Sequence, residues 1–109
     1  MSQQDVITVA TNFVSLASQT LPIQSAYIFG SFAKNVGGIS SDIDVCLISP
    51  EFGKDTIDEI VALGKIAMKI DPRIEPHPMS VEDFSEKYNL LAHEIKTNGI
   101  PLNFSRSTI

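Results

Sequence analysis

Two aspartates carry the most pointed chemistry in this chain. Asp42 and Asp44 stand two residues apart in the run SDIDVCLIS, and on a strand, where side chains alternate faces, that spacing turns both carboxylates the same way. Lying about 6 to 7 Å apart along the backbone, they repel one another unless a cation sits between them. Hard oxygen donors of this kind suit Mg²⁺, which retains several waters and is commonly shared with substrate phosphates. Ahead of them, Gly30 lets the backbone approach a ligand and Ser31 offers a hydroxyl where a helix would start. The orphan N–H groups of a helix N-terminus make an anion site. A Gly-Ser pair alone is an ordinary turn, and aspartates alone suit an exposed strand face. Asp is disfavoured in strands, however, and two of them in an otherwise apolar run cost stability with no structural return. A phosphate-seating turn beside a metal-holding carboxylate pair describes a nucleotide site.

The flanking sequence supplies elements to position these groups. Val6, Val9, Ala10, Phe13, Val14 and Ala17 form one helical stripe, which predicts an amphipathic helix from Ser2 to about Ser18, capped by Ser2 or Asp5 and stopped before Pro22. A strand follows over 24–29, then the Gly30-Ser31 turn. Ser31 to Lys34 begins a short helix that Asn35 to Gly38 breaks, and a second strand spans 42–49. Asp55 or Thr56 caps a helix running to about Ile70, expected to bury Ile57, Ile60, Val61, Gly64, Ala67 and Met68. Gly64 there either admits close approach to the sheet or is a tolerated helix glycine.

Pro72 closes that segment. The run RIEPHPM, Arg73 to Met79, carries Pro76 and Pro78 and reads only as an edge or irregular strand, with Glu75, His77 and Met79 on one face. His77 suits a metal ligand or a base, but a lone His in an edge segment is more commonly a surface or packing residue, and that reading is preferred. A last helix, capped at Ser80 or Ser85, carries Phe84, Tyr88, Leu91 and Ile95 to about Lys96 and ends at Asn98-Gly99. Ile100, Leu102 and Phe104 alternate as a final short strand. The order is that of an α/β (α+β) fold with a small mixed β-sheet and helices packed on it.

Composition narrows the function. A chain of 109 residues is expected to form one domain over 1–109. It has 13 acidic and 8 basic residues, net charge −5, and shows no basic stripe, which argues against duplex nucleic acid as a partner. A nucleoside triphosphate still fits an acidic protein when a divalent ion neutralises its phosphates. No apolar run approaches the ~20 residues of a membrane span, and the N-terminus lacks a signal-peptide pattern, so the expected location is the cytoplasm. The lone Cys46 lies on the Asp42/Asp44 face and reads as a small buried apolar residue.

Gly30-Ser31, ten intervening residues, then Asp42-Ile43-Asp44 led by Ser41, resembles the signature of the DNA polymerase beta-like nucleotidyltransferases. The small size points to their minimal nucleotidyltransferase (MNT) branch. The motif covers 15 residues, Gly30 to Asp44, and the likeness in size and element order extends over most of the chain. Two positions depart from it. Phe32 stands where many relatives have a basic or polar residue, which leaves Lys34 as the nearest cation, and Asn35 replaces the usual glycine, a mild change because Asn tolerates positive φ.

The resemblance implies a polymerase beta-like palm, two Mg²⁺ ions and ATP or another NTP as substrate. It assigns Gly30, Ser31, Lys34 and Ser41 to the nucleotide, and Asp42 and Asp44 to catalysis and metal. Relatives carry a third acidic residue on the strand after the second helix. Glu75 matches by order, giving the triad Asp42, Asp44 and Glu75, while the competitor Asp71 sits before Pro72 where a cap or turn fits better. The implied reaction transfers a nucleoside monophosphate, foremost AMP, with pyrophosphate leaving. Larger relatives bind the acceptor with an added domain, so the acceptor here is expected from a second protomer or another protein. Many MNT proteins are antitoxins of helical HEPN-domain partners, in some cases transferring AMP to a partner tyrosine. Two rivals stand beside this. One is a non-catalytic module that neutralises a partner by binding, to which Phe32 and the proline-rich third strand give weight. The weaker is an aminoglycoside-type small-molecule nucleotidyltransferase, which needs an acceptor pocket with its own walls.

Overall fold

The computed structural model describes residues 2–34 and 42–105. Helix α1 (Gln3–Ala17) opens with a reciprocal cap: the Asp5 N–H donates to the Ser2 hydroxyl and the Ser2 N–H donates to the Asp5 carboxylate, each at 3.1 Å. Ser2 is therefore the cap and Asp5 its partner. Val6, Ala10, Phe13, Val14 and Ala17 of the expected stripe are fully buried.

Strand β1 (Ser25–Phe29) pairs antiparallel with β2 (Ile43–Ser49), and β3 (Ile74–Ser80) lies parallel to β2. A parallel neighbour cannot be reached by a tight turn, and helix α2 (Thr56–Met68) makes the crossover. A two-residue β4 (Ile100–Pro101) adds antiparallel to β1, giving the order β3-β2-β1-β4. This is the small mixed sheet expected. Inner strand β2 is buried along nearly its whole length, which is why it reads as an unbroken apolar run after Asp44.

Period-two alternation divides the sheet into two faces. Ala26, Ile28, Ile43, Val45 and Leu47 pack with α1 and with Leu63 and Ala67 of α2. Phe29, Cys46, Ile48 and Met79 pack with Ala92 and Ile95 on the opposite side. Pro76 and Pro78 are tolerated because β3 is an edge. The Ile43 N–H donates to the Arg73 carbonyl at 2.8 Å, and alternation then turns both proline nitrogens to the open side, where no ladder donor is required.

Four expectations are corrected. Most of the stripe assigned to α2 is turned outward: Ile57, Val61 and Met68 are 75%, 51% and 67% exposed and Ile60 is 43% exposed, while Ala67 is buried as expected and Leu63, outside that stripe, is buried with it. This helix carries apolar residues nearly all round, so period alone admitted two faces, and the crossover onto the sheet selected the Leu63 side. A Cβ added at Gly64 meets nothing within 4 Å, so Gly64 is a tolerated helix glycine and not a point of close approach.

The last helix is two. Ser80 caps α3 (Val81–Ser85) and Asn89 caps α4 (Leu90–Asn98). Each cap's side-chain oxygen accepts an N–H three residues on, and the interruption leaves Tyr88 79% exposed. Residues 31–34 form a single turn rather than the start of a helix, and Asn35 to Gly38 lie outside the described residues. The final strand is confined to Ile100–Pro101, although the Leu102 N–H still donates to the Ala26 carbonyl at 2.9 Å.

These placements predict a stability contrast within α2, read from urea midpoints. Leu63→Ala is expected to cost about 2–5 kcal/mol and Met68→Gln to stay within about 0.5 kcal/mol of the parent. Gly64→Ala should raise stability by about 1 kcal/mol.

Candidate active site

At the end of β1 the chain turns sharply. Gly30 has φ +76°, a region open to glycine and strained for other residues, and the Lys34 N–H donates back to its carbonyl at 3.2 Å. A second constraint acts on the same residue: a Cβ there would stand 2.6 Å from Asp44 Oδ2. Gly30 is thus required by its own backbone and by the carboxylate it faces. Phe32, two residues on, is buried among the α1-side core residues, and the Gln3 side-chain amide donates to its carbonyl at 3.1 Å. The apolar side chain at this position anchors the turn to the core.

The sheet register assembles the rest. Asp44 lies opposite Phe29 on β1 and Glu75 on β3, and His77 lies opposite Cys46. His77 Nε2 is 3.1 Å from Asp44 Oδ1 and 3.7 Å from Glu75 Oε1. One donor atom from each of the three residues falls within 4.8 Å of the others. The imidazole is held edge-on against the Phe29 ring, with centroids 4.9 Å apart and planes at 69°. Asp44 is a quarter exposed and Glu75 half exposed, so the cluster opens to water. Two carboxylates and an imidazole in so small a space form a donor set suited to a divalent cation.

The remaining candidate residues are placed as follows. Asp42 precedes β2 and is exposed; the compact group is formed by Asp44, Glu75 and His77. Asp71 is engaged elsewhere: both carboxylate oxygens accept from the Arg73 guanidinium, at 3.1 and 2.7 Å, and one accepts the Arg73 N–H at 2.8 Å. Those hydrogen bonds from Arg73 hold its carboxyl below the usual range. Lys34 Nζ lies 3.0 Å from Glu94 Oε1 on α4. That contact and the Asn98 amide, 3.1 Å from Glu94 Oε2, keep the Glu94 carboxyl low. Ser31 is half-buried within the turn, and Ser41 lies outside the described residues.

His77 is the group that residue spacing underrated. The available signal was its place two residues after Glu75, but only the pairing of β3 with β2 brings it to Asp44. Cys46 sits behind the cluster, fully buried, and burial pushes its thiol up to about 12, which removes it as a nucleophile. A cavity of about 550 Å³ lies at the other end of the sheet, bordered by Leu21, Pro22, Ile23, Pro50 and Val81, and contains none of these groups.

A sheet built this way, with acidic residues at its open edge beside a glycine turn, defines a palm-type nucleotidyl-transfer domain. The model of the polymerase beta nucleotidyltransferase family matches residues 12–108, and the chain belongs to that family. No curated protein matches the sequence significantly. Among solved structures, a Sulfolobus solfataricus protein proposed to be a nucleotidyltransferase is 19% identical with TM-score 0.63, over 74% of this chain and 72% of that one. A chain of a toxin–antitoxin structure with AMP-PNP is also 19% identical, with TM-score 0.58, over 96% of this chain and 75% of the other.

Gly30→Ala tests the turn: both the positive φ and the Asp44 contact resist a methyl group, and a loss of about 1–3 kcal/mol is expected by urea unfolding. Cys46 should stay unreactive toward a thiol reagent until the protein is unfolded, as followed by mass spectrometry.

Proposed function

We propose that this chain transfers a nucleoside monophosphate, foremost AMP from ATP, to a hydroxyl on a separate protein. The antitoxin half of a HEPN/MNT-type pair is the setting that fits best. The observation that carries the reading is the convergence of Asp44 and Glu75 on one open sheet edge, directly against the Gly30 turn. Family membership supplies the reaction class, and similarity to a chain of the toxin–antitoxin structure with AMP-PNP supports a nucleotide and a protein partner. No described helix is long and apolar enough to cross a membrane, which agrees with a cytoplasmic setting.

In this reading Asp42, Asp44 and Glu75 hold the divalent ions. Those ions, once bound, neutralise the triphosphate and polarise the attacking and leaving oxygens. Gly30, lacking a Cβ, lets the backbone approach the terminal phosphates, and Ser31 adds a hydroxyl there. Ser41 and Lys34 complete the nucleotide contacts, with Lys34 exchanging Glu94 for phosphate. The cluster's exposure leaves the acceptor hydroxyl a path to the reacting phosphorus.

The second reading, a non-catalytic module that neutralises its partner by binding, is favoured by one contact. Lys34, the cation nearest the turn, is already paired with Glu94.

Calorimetric titration with ATP and label transfer from [α-³²P]ATP to the partner separate the two. ATP binding should require a divalent ion. Asp44→Asn should lower binding and transfer by more than about a hundredfold, since loss even of a residue that supports a ligand costs 10–100-fold, while the circular dichroism spectrum stays unchanged. Undiminished transfer by the folded variant would remove the mechanism, and no nucleotide binding by the parent in complex with its partner would favour the binding module.

A further inference from the structure

His77 is not needed to explain a site of hard oxygen ligands, yet it occupies the centre of the cluster. Its Nε2 stands 3.1 Å from Asp44 Oδ1 and 3.7 Å from Glu75 Oε1. Around one ion with bonds of about 2.1 Å, neighbouring donors are about 3.0 Å apart at octahedral angles and about 3.4 Å apart at tetrahedral angles. The first separation falls within that range and the second lies about 0.3 Å beyond it, within reach of a side-chain adjustment by the half-exposed Glu75. The ring is also oriented in advance, carried on a strand rather than a loop and braced edge-on by Phe29. Such support is what a ligand needs and a surface histidine does not.

We propose that His77 is a metal ligand, and that Asp44, Glu75 and His77 together give the site a preference for Mn²⁺ over Mg²⁺. The proposal rests on the nucleotidyl-transfer reading for the use of the ion, but its geometry stands apart from it. Mg²⁺ takes oxygen donors and sheds water reluctantly. An imidazole nitrogen in the coordination shell disfavours it and suits a transition metal, whereas the two carboxylates remain good donors to Mn²⁺. To coordinate, the neutral ring carries its proton on Nδ1 and presents the Nε2 lone pair to the ion. The hydrogen bond to Asp44 is then replaced by two bonds to one metal.

The competing role for His77 is orientation of Asp44 by hydrogen bonding alone. Removal of such a residue weakens every ion alike, so the ratio of affinities is decisive rather than the loss. Mn²⁺ binding to the purified full chain is measured by the electron paramagnetic resonance of free Mn²⁺, without nucleotide, and Mg²⁺ affinity by competition. The parent should favour Mn²⁺ by about tenfold or more. His77→Ala should collapse that ratio by about tenfold through loss of Mn²⁺ affinity, and His77→Asp, which restores an oxygen donor, should shift the preference toward Mg²⁺. A Mn²⁺/Mg²⁺ ratio unchanged in a folded His77→Ala or His77→Gln protein overturns the assignment, as does a parent that shows no preference. ATP binding measured in parallel keeps the two questions separate. Mn²⁺ selectivity without nucleotide binding would sink the transfer reading and leave His77 a ligand; transfer with an unchanged metal ratio would do the reverse.

Discussion

The register between β2 and β3 is the constraint on which this protein depends. With Asp44 opposite Glu75 and Cys46 opposite His77, three chemically active side chains share one face and one end of the sheet. A slip by one residue would carry Glu75 and His77 to the side packed by α1 and α2. A carboxylate would then be buried among Ile43, Val45 and Leu63 with nothing to pair it, a cost of several kcal/mol. The apolar pattern that builds the core therefore also holds the site together. Ile74 and Met79, buried on opposite faces of β3, pin that strand on both sides.

A second layer of constraint sits at the turn after β1. Gly30 must adopt its positive φ and must leave room for Asp44, while two residues later Phe32 enters the core. Backbone freedom and side-chain anchorage are divided between neighbours, so the turn is fixed in place without filling the space before the carboxylate. On the far side α4 approaches the same turn through Lys34 and Glu94. The pair is exposed, so it contributes little to stability. Its consequence is that the ammonium nearest the turn is already committed to a carboxylate of α4.

Legibility in the sequence followed locality. The α1 stripe, its Ser2 cap, the apolar β2 run and the edge character imposed by Pro76 and Pro78 all rest on local rules and are found in the structure. The buried face of α2 is not set locally, because Ile57, Val61 and Met68 compete with Leu63 for it on period alone. The break between α3 and α4 is hidden in the sequence because Phe84, Tyr88, Leu91 and Ile95 keep a helical interval across it. Asn89, a residue suited to a cap, is the local feature that separates the two helices.

By itself the sequence determined the chemistry at hand: glycine and serine ahead of two aspartates, a strand that only an edge could accept, and Glu75 with His77 two residues beyond. These follow from residue types and from the period-two alternation of a strand. The tertiary structure alone decided that His77 meets Asp44, that Asp71 is held by Arg73 while Glu75 stands free of it in the cluster, and that Lys34 turns to Glu94. Each of those outcomes joins groups whose approach is set by strand pairing or helix docking, or, for Asp71 and Arg73, by a turn whose rotamers only the folded chain selects. Side-chain spacing along the chain carries no information about partners brought in from 33 or 60 residues away; the hydrophobic core, by choosing one register, does.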